Sequence, residues 1–177
     1  MNFKPAQIPS NDTKRVEAVH RSGATEDIDS NLYEIYCFLA KEITGCPVSW
    51  TGVIDSEKQV ILARDGFPDD VPNEMPRNQT LCQFALEKKQ PLIINNMVKD
   101  ARFQYHPAVT DFGVKFYAAF PIVTSDGYTL GTLCVSDNKV RKLTKHKISL
   151  LMGLASKLAY QLEVQVSQRK GTADSTI

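Results

Sequence analysis

Residues 115–137 run Lys-Phe-Tyr-Ala-Ala-Phe-Pro-Ile-Val-Thr-Ser-Asp-Gly-Tyr-Thr-Leu-Gly-Thr-Leu-Cys-Val-Ser-Asp, and no other stretch narrows the possible folds as much. Two runs of β-branched and aromatic residues flank Ser125-Asp126-Gly127, the composition of a β-hairpin and its turn. Strand residues alternate between faces, so Phe116, Ala118, Phe120 and Ile122 share one side and Tyr117, Ala119 and Pro121 the other. Both sides are apolar, which places the hairpin inside a sheet covered on both faces rather than at a solvated edge. Such a sheet has room for a pocket between its strands and a covering layer.

The rest of the chain supplies the covers. Residues 1–27 are polar, carry Pro5, Pro9 and Gly23, and read as a flexible N-terminal arm with one short helix near Lys14–His20. Asp29 or Ser30 caps an expected helix to Thr44, with Leu32, Ile35, Tyr36, Leu39, Ala40 and Ile43 on its apolar stripe and Gly45 ending it. Strands are expected at Val48–Ile54 and Gln59–Ala63, joined by a turn at 55–58. Gly66, Pro68, Pro72 and Pro76 make 64–78 a loop. Gln79–Lys88 reads as a short helix capped by Asn78 or Thr80, and Pro91–Asn95 as a brief buried strand. A second long loop covers 96–114, with a helical turn near Pro107. A final helix spans about Thr144–Val166 on a stripe of Leu151, Leu154, Ala155, Leu158 and Leu162. The chain from 167 to 177 reads as a disordered tail, leaving 28–166 as the folded domain. This order describes an α+β fold: an antiparallel sheet with the terminal helices on one face and the loops and short helix on the other.

Composition removes whole classes of function. Lys and Arg total 21 against 20 Asp and Glu, so no global field recruits nucleic acid or an anionic membrane. No run approaches the roughly 18 apolar residues of a membrane span, and the first residues lack the apolar core of a secretion signal. A cytoplasmic, stand-alone protein is expected. Cys37, Cys46, Cys82 and Cys134 form no Cys-x-x-Cys pair and have no His at ligand spacing. Free, mostly buried thiols are therefore expected rather than a metal site. No catalytic constellation stands out.

Several ordered motifs resemble the GAF domain, a bacterial small-molecule sensing and dimerisation module, from about Asp29 to Glu163. Leu81-Cys82-Gln83-Phe84-Ala85 resembles its short-helix motif, and Pro91-Leu-Ile-Ile-Asn95 the strand that follows. Asp100-Ala101-Arg102-Phe103 and His106-Pro107-Ala108-Val109 are similar to the family's Asp-x-Arg-Phe and Asn-Pro-x-Val loop. Lys115-Phe116-Tyr117-Ala118 with Pro121, and Gly127 followed by Gly131-Thr132-Leu133-Cys134-Val135-Ser136-Asp137, resemble its two hairpin strands. The resemblance implies a six-stranded antiparallel sheet and a signalling role usually without chemistry. It does not fix a ligand, because members bind very different molecules or none. Cys82-Gln83 replaces the Cys-His of members that attach a bilin, and the Asn-Lys-Phe-Asp-Glu pattern of cyclic-nucleotide phosphodiesterase members is missing. Ala119 stands where many relatives have Gly.

Pocket candidates are Trp50, Cys82, Arg102, Phe103, His106, Phe116, Tyr117 and Cys134, each with a bland alternative. Cys82 is either a packing thiol or a reactive one, since members that reduce free methionine sulfoxide carry a Cys at a similar helix. Their resolving cysteines, on a preceding strand and in the later loop, have no counterpart here. Arg102 either pairs with Asp100 or meets an anion through its planar fork. His106 is a pocket donor or a satisfied structural residue. Phe116, Tyr117 and Trp50 stack on a planar ligand or simply fill the core. The main expectation is a non-catalytic sensor of an unknown small molecule, with no metal and no identified cofactor. It would form a homodimer through its terminal helices and signal to a protein partner. The alternatives are a thiol reductase centred on Cys82 and a ligand-free dimerisation module.

Overall fold

The computed structural model describes residues 2–26, 29–68 and 70–174, with side chains through Gln168. The hairpin lies where its two apolar faces require. Strands β1 (Val48–Ile54), β2 (Lys58–Asp65), β3 (Glu74–Pro76), β4 (Leu92–Ile94), β5 (Phe116–Val123) and β6 (Thr129–Asp137) form one sheet in the order β3-β2-β1-β6-β5-β4. Every pairing is antiparallel. The β5–β6 hairpin is thus internal, with β1 and β4 on its flanks. Gly127 turns it at φ 89°, donating its amide to the Thr124 carbonyl.

Gly131 explains why a glycine stands in this strand. A Cβ there would lie 1.9 Å from the Gly52 carbonyl oxygen and 2.7 Å from the Val53 Cα, both backbone atoms of β1. The register of β1 against β2 shifts at this same point of β1, between Thr51 and Gly52.

Helices α1 (Asp12–Ser22), α2 (Asn31–Thr44) and α4 (Lys145–Asp174) supply one cover. Its core includes Phe116, Ala118, Phe120 and Ile122 from β5, Ala40 from α2, and Leu151, Ala155, Leu158 and Leu162 from α4. The α2 stripe is rotated from the expected one: Tyr33, Tyr36, Cys37 and Ala40 are buried, while Leu32, Ile35 and Phe38 face solvent. The two tyrosines decide the rotation. Their hydroxyls donate to Gln165 and Gln161 of α4, each at 2.6 Å, so the rings bury while their polar ends are satisfied.

The segment read as a flexible arm holds α1, and α1 is anchored by a buried charge. Arg15 is fully buried; its Nη1 donates to the Ile54 carbonyl at 2.6 Å and the Thr129 carbonyl at 3.3 Å, and its Nη2 to the Asp55 carbonyl at 3.3 Å. Asp12 accepts from Arg15 Nε at 2.7 Å and from both Arg77 Nη atoms, at 2.7 and 2.9 Å. Burial alone would raise the Asp12 pKa, but its bonds to Arg77 and Arg15 outweigh this and hold it below the ordinary value.

The residue reading had no strand between 64 and 78. β3 is a three-residue edge strand ending in Pro76, paired only to Lys58–Val60, too short and proline-marked to show a period. α4 runs through Asp174, into the stretch read as a tail from 167. Residues 1, 27, 28 and 175–177, which belong to the expected arm, domain boundary and tail, lie outside the described residues.

Candidate functional site

The opposite face of the sheet is covered by short turns and loops. Their core holds Trp50, Ile54, Leu81, Cys82, Ala85, Met97, Phe103, Tyr117, Ala119 and Cys134. The expected helix over 79–88 is instead two 3-10 turns, Arg77–Gln79 and Cys82–Ala85. Thr80 stands between them: its hydroxyl donates to the Arg77 carbonyl and accepts the Gln83 amide. A third 3-10 turn, Met97–Lys99, and the short helix α3 (Pro107–Thr110) complete the cover.

Period-2 geometry sorts the candidates. Trp50 and Ala119 are the cross-strand partners of Cys134, one on each side, so these residues share the loop-side face with Tyr117. Phe116 does not join them. As the neighbour of Tyr117 on β5 it points to the helical core, which corrects its place among the pocket candidates.

Cys82, brought in by the second 3-10 turn, meets this face in a polar cluster closed to solvent. Its Sγ lies 3.5 Å from Cys134 Sγ. The Tyr117 hydroxyl is 3.3 Å from one sulfur and 3.4 Å from the other. Gln59 Nε2 donates to Cys82 Sγ at 3.4 Å, and Cys134 Sγ donates to Thr132 Oγ1 at 3.1 Å. Cys82 is 1% exposed, and Cys134 and Tyr117 are 0% exposed. Burial pushes the Cys82 thiol up, but hydrogen bonding with Cys134, Thr132, Tyr117 and Trp50 outweighs it and brings the pKa down to about 6. Burial, reinforced by Cys82, holds Cys134 well above the usual thiol range, and burial likewise raises Tyr117. The groups that bond Cys82 are side chains gathered from β1, β2, β5 and β6, not the backbone amides of a helix start.

The remaining candidates hold the cover together. Phe103 is fully buried, edge-on to Phe84 with ring centroids 4.8 Å apart. Arg102 forms a two-pronged pair with Asp100, at 2.9 and 2.7 Å, and lies over the Phe103 ring at 4.8 Å. Its side chain is largely exposed, so it sits outside the enclosed cluster. His106 is buried; its Nδ1 accepts the Ala108 amide at 3.0 Å, which leaves Nε2 to carry the proton donated to the Gln79 carbonyl at 2.9 Å. Burial lowers its pKa, keeping the ring neutral. It pins the 96–114 loop to the 3-10 turns.

Sequence reasoning missed Gln59 and the amino-terminal segment. Ala6 donates its amide to Gln83 Oε1 at 3.0 Å, and the Phe3 ring packs on Phe84 and edge-on against His106 at 4.6 Å. Gln59 is the second residue of β2, and only the β1–β2 register carries it to Cys82; no local pattern signals that. Two open grooves lie elsewhere. One of about 430 Å³ runs between α2 and β2, lined by Asn31, Ile35, Phe38 and Arg64 among others. The other, about 260 Å³, lies where α1, the hairpin turn and α4 meet. Among the described residues no cluster of three His, Cys, Asp or Glu side chains is placed to hold a metal ion. Among them, too, no helix is long and apolar enough to cross a membrane.

Comparison with known proteins agrees with this architecture. The family model described as GAF domain matches residues 30–162. A cyclic di-GMP phosphodiesterase of Pseudomonas aeruginosa is 26% identical over 145 residues, a match covering 81% of this chain and 24% of that relative's length. The blue-light absorbing form of the PixJ GAF domain of Thermosynechococcus elongatus superimposes with TM-score 0.66 at 14% identity, covering 95% of this chain and 96% of that one. A type II free methionine-R-sulfoxide reductase of Thermoplasma acidophilum does so with TM-score 0.62 at 15% identity, over 84% and 94% of the two chains. At these identities the two structures speak for the fold alone. The family model, by contrast, spans most of the sequence and includes both hairpin strands and the Cys82 turn: the chain belongs to the GAF domain family.

Proposed function

We propose that this GAF domain is a non-catalytic, cytoplasmic sensory module that admits a small molecule between its sheet and the layer of 3-10 turns. The observation that carries this reading is the buried polar cluster of Gln59, Cys82, Tyr117, Thr132 and Cys134 beneath that layer. A core built only for stability has little use for five polar side chains at one spot, since each must find a partner away from water. Asn96 adds a buried Oδ1 with no hydrogen-bond partner at the head of the second covering loop. Trp50, Phe103 and Tyr117 now fill the space, so a ligand enters only when the turns and the loops 64–80 and 96–114 move.

Movement on this face reaches the helices through the internal strands, because β5 and β6 present alternate residues to both cores. Leu32, Ile35 and Phe38 form an exposed apolar stripe on α2, and Leu150 and Tyr160 are exposed on α4. We assign these helices to a homodimer contact whose geometry reports ligand binding to a protein partner. The Pseudomonas relative's name supports an output in nucleotide signalling.

A reductase reading is favoured by the lowered Cys82 thiol. It is opposed by enclosure of both sulfurs, since free methionine sulfoxide is a whole amino acid and would have to displace the cover. Native mass spectrometry of protein purified from its own source, followed by hydrogen exchange, tests the sensory reading. The expected result is a bound small molecule whose removal changes exchange in 64–80, 96–114, α2 and α4. A bound molecule without such changes refutes the coupling, and Cys82-dependent turnover of free methionine sulfoxide with thioredoxin refutes the non-catalytic assignment.

A further inference from the structure

The two sulfurs of the cluster come from segments 52 residues apart, yet they touch at 3.5 Å. The other two cysteines are placed differently: Cys37 donates to the Ala63 carbonyl at 3.5 Å, and Cys46 is buried elsewhere in the helical core. A disulfide bond is about 2.05 Å long, so Cys82 and Cys134 need approach by only about 1.5 Å. Cys134 is fixed, because β6 is bonded to β1 on one side and β5 on the other. Cys82 is the movable partner, carried on a four-residue 3-10 turn.

The hydrogen bonds also make the pair chemically unequal. Cys82 receives the Tyr117 O–H and the Gln59 N–H, the environment of a thiolate. Cys134 gives its S–H to Thr132 and keeps its proton. One sulfur is prepared to attack and the other to resolve. Enclosure then selects the oxidant, because only a molecule near the size of water reaches Cys82 through local opening of the turn.

We propose that Cys82 and Cys134 form a redox-sensitive pair that a small hydroperoxide converts to a disulfide, drawing the overlying turn onto the central strands. The Cys82 thiolate attacks the peroxide: the S–O bond forms, the O–O bond breaks, and the departing oxygen takes up the proton that Cys82 had released. This gives a sulfenic acid and one molecule of water or alcohol. The Cys134 sulfur then attacks the Cys82 sulfur; the S–S bond forms, the S–O bond breaks, and hydroxide leaves with the Cys134 proton as water. Two thiols lose two electrons and the peroxide gains them. The disulfide offers Tyr117 no thiolate to bind, so oxidation rearranges the cluster whether or not a ligand exists. The inference goes beyond the sensory reading and does not depend on it.

The test uses the full chain, reduced, desalted, and exposed to a few equivalents of hydrogen peroxide. It is then unfolded in N-ethylmaleimide for intact-mass and peptide analysis. The expected product lacks two hydrogens, contains a linked Cys82–Cys134 peptide, leaves Cys37 and Cys46 alkylated, and reverts with dithiothreitol. In Cys134→Ser, Cys82 should stop as a sulfenic acid, captured by dimedone present as the chain is unfolded; in Cys82→Ser, Cys134 should remain a thiol. Disulfide formation should also slow hydrogen exchange across 81–86. The proposal is overturned if Cys37 or Cys46 oxidises as fast as the pair in the wild-type chain, a readout that needs no variant to fold. It is equally overturned if the pair reaches only sulfinic acid without cross-linking.

Discussion

Asp12→Ala probes the ion cluster that fastens α1 to the sheet. Asp12 accepts one bond from Arg15 and two from Arg77, all between 2.7 and 2.9 Å. Its removal leaves the Arg15 guanidinium, whose side chain is 1% exposed, without the carboxylate that pairs with it. The carbonyls of Ile54, Asp55 and Thr129 still accept from Arg15, but they are neutral and compensate only part of the buried charge. Deleting one partner of a buried pair costs about 3–5 kcal/mol, and the residual 14% exposure of Asp12 puts this case near the lower value, about 3 kcal/mol. In urea, with a slope of about 2–3 kcal/mol/M, the midpoint should fall by about 1–1.5 M. Arg21→Ala is the control: it deletes a 3.3 Å pair with Asp126 whose side chains are 55% and 54% exposed, and should cost under about 1 kcal/mol. The carboxyl pKa is lowered in the folded state, so the Asp12 contribution is complete above the unfolded value of 3.8 and fades as pH falls through the folded one. The gap between wild type and Asp12→Ala should therefore narrow as pH falls below 3.8. A midpoint shift no larger than that of Arg21→Ala would refute the anchoring role.

Three other outcomes are expected. Gly131→Ala drives a Cβ into the β1 backbone, and spreading of the β1–β6 pair should cost at least about 2 kcal/mol in urea unfolding. His106 is neutral and depressed below 6.5 when folded, so the unfolded chain protonates first and stability should drop as pH falls below about 6.5; His106→Gln should flatten that part of the profile. Phe38→Glu, on the exposed α2 stripe, should convert a sedimenting dimer to a monomer with an unchanged circular dichroism spectrum; a wild-type monomer at high concentration would sink the dimer assignment.

The hairpin was legible because its two apolar faces admit one location in a sheet, and Gly127 marks its turn. The same alternation separates Phe116 from Tyr117, so placing both in one pocket weighed aromatic character above period. β3 carries too few residues to show a period, and the 3-10 turns interrupt the helical spacing expected of 79–88. Arg102 and His106 took their structural roles, set by Asp100 two residues away and by the Ala108 amide, contacts that local sequence allows. The meeting of Cys82, Cys134, Tyr117 and Gln59 depends on three strand registers and one turn. The motifs flagged Cys82, Tyr117 and Cys134 singly but could not bring the sulfurs together.

The amino-terminal segment has a mechanical consequence. Phe3 and Ala6 rest on the outside of the turn bearing Cys82, while a few residues later Arg15 is clamped to the far ends of β1 and β6. One short segment therefore ties the cover that bears Cys82 to the strand ends that hold Arg15, so loosening either contact frees the other's neighbour.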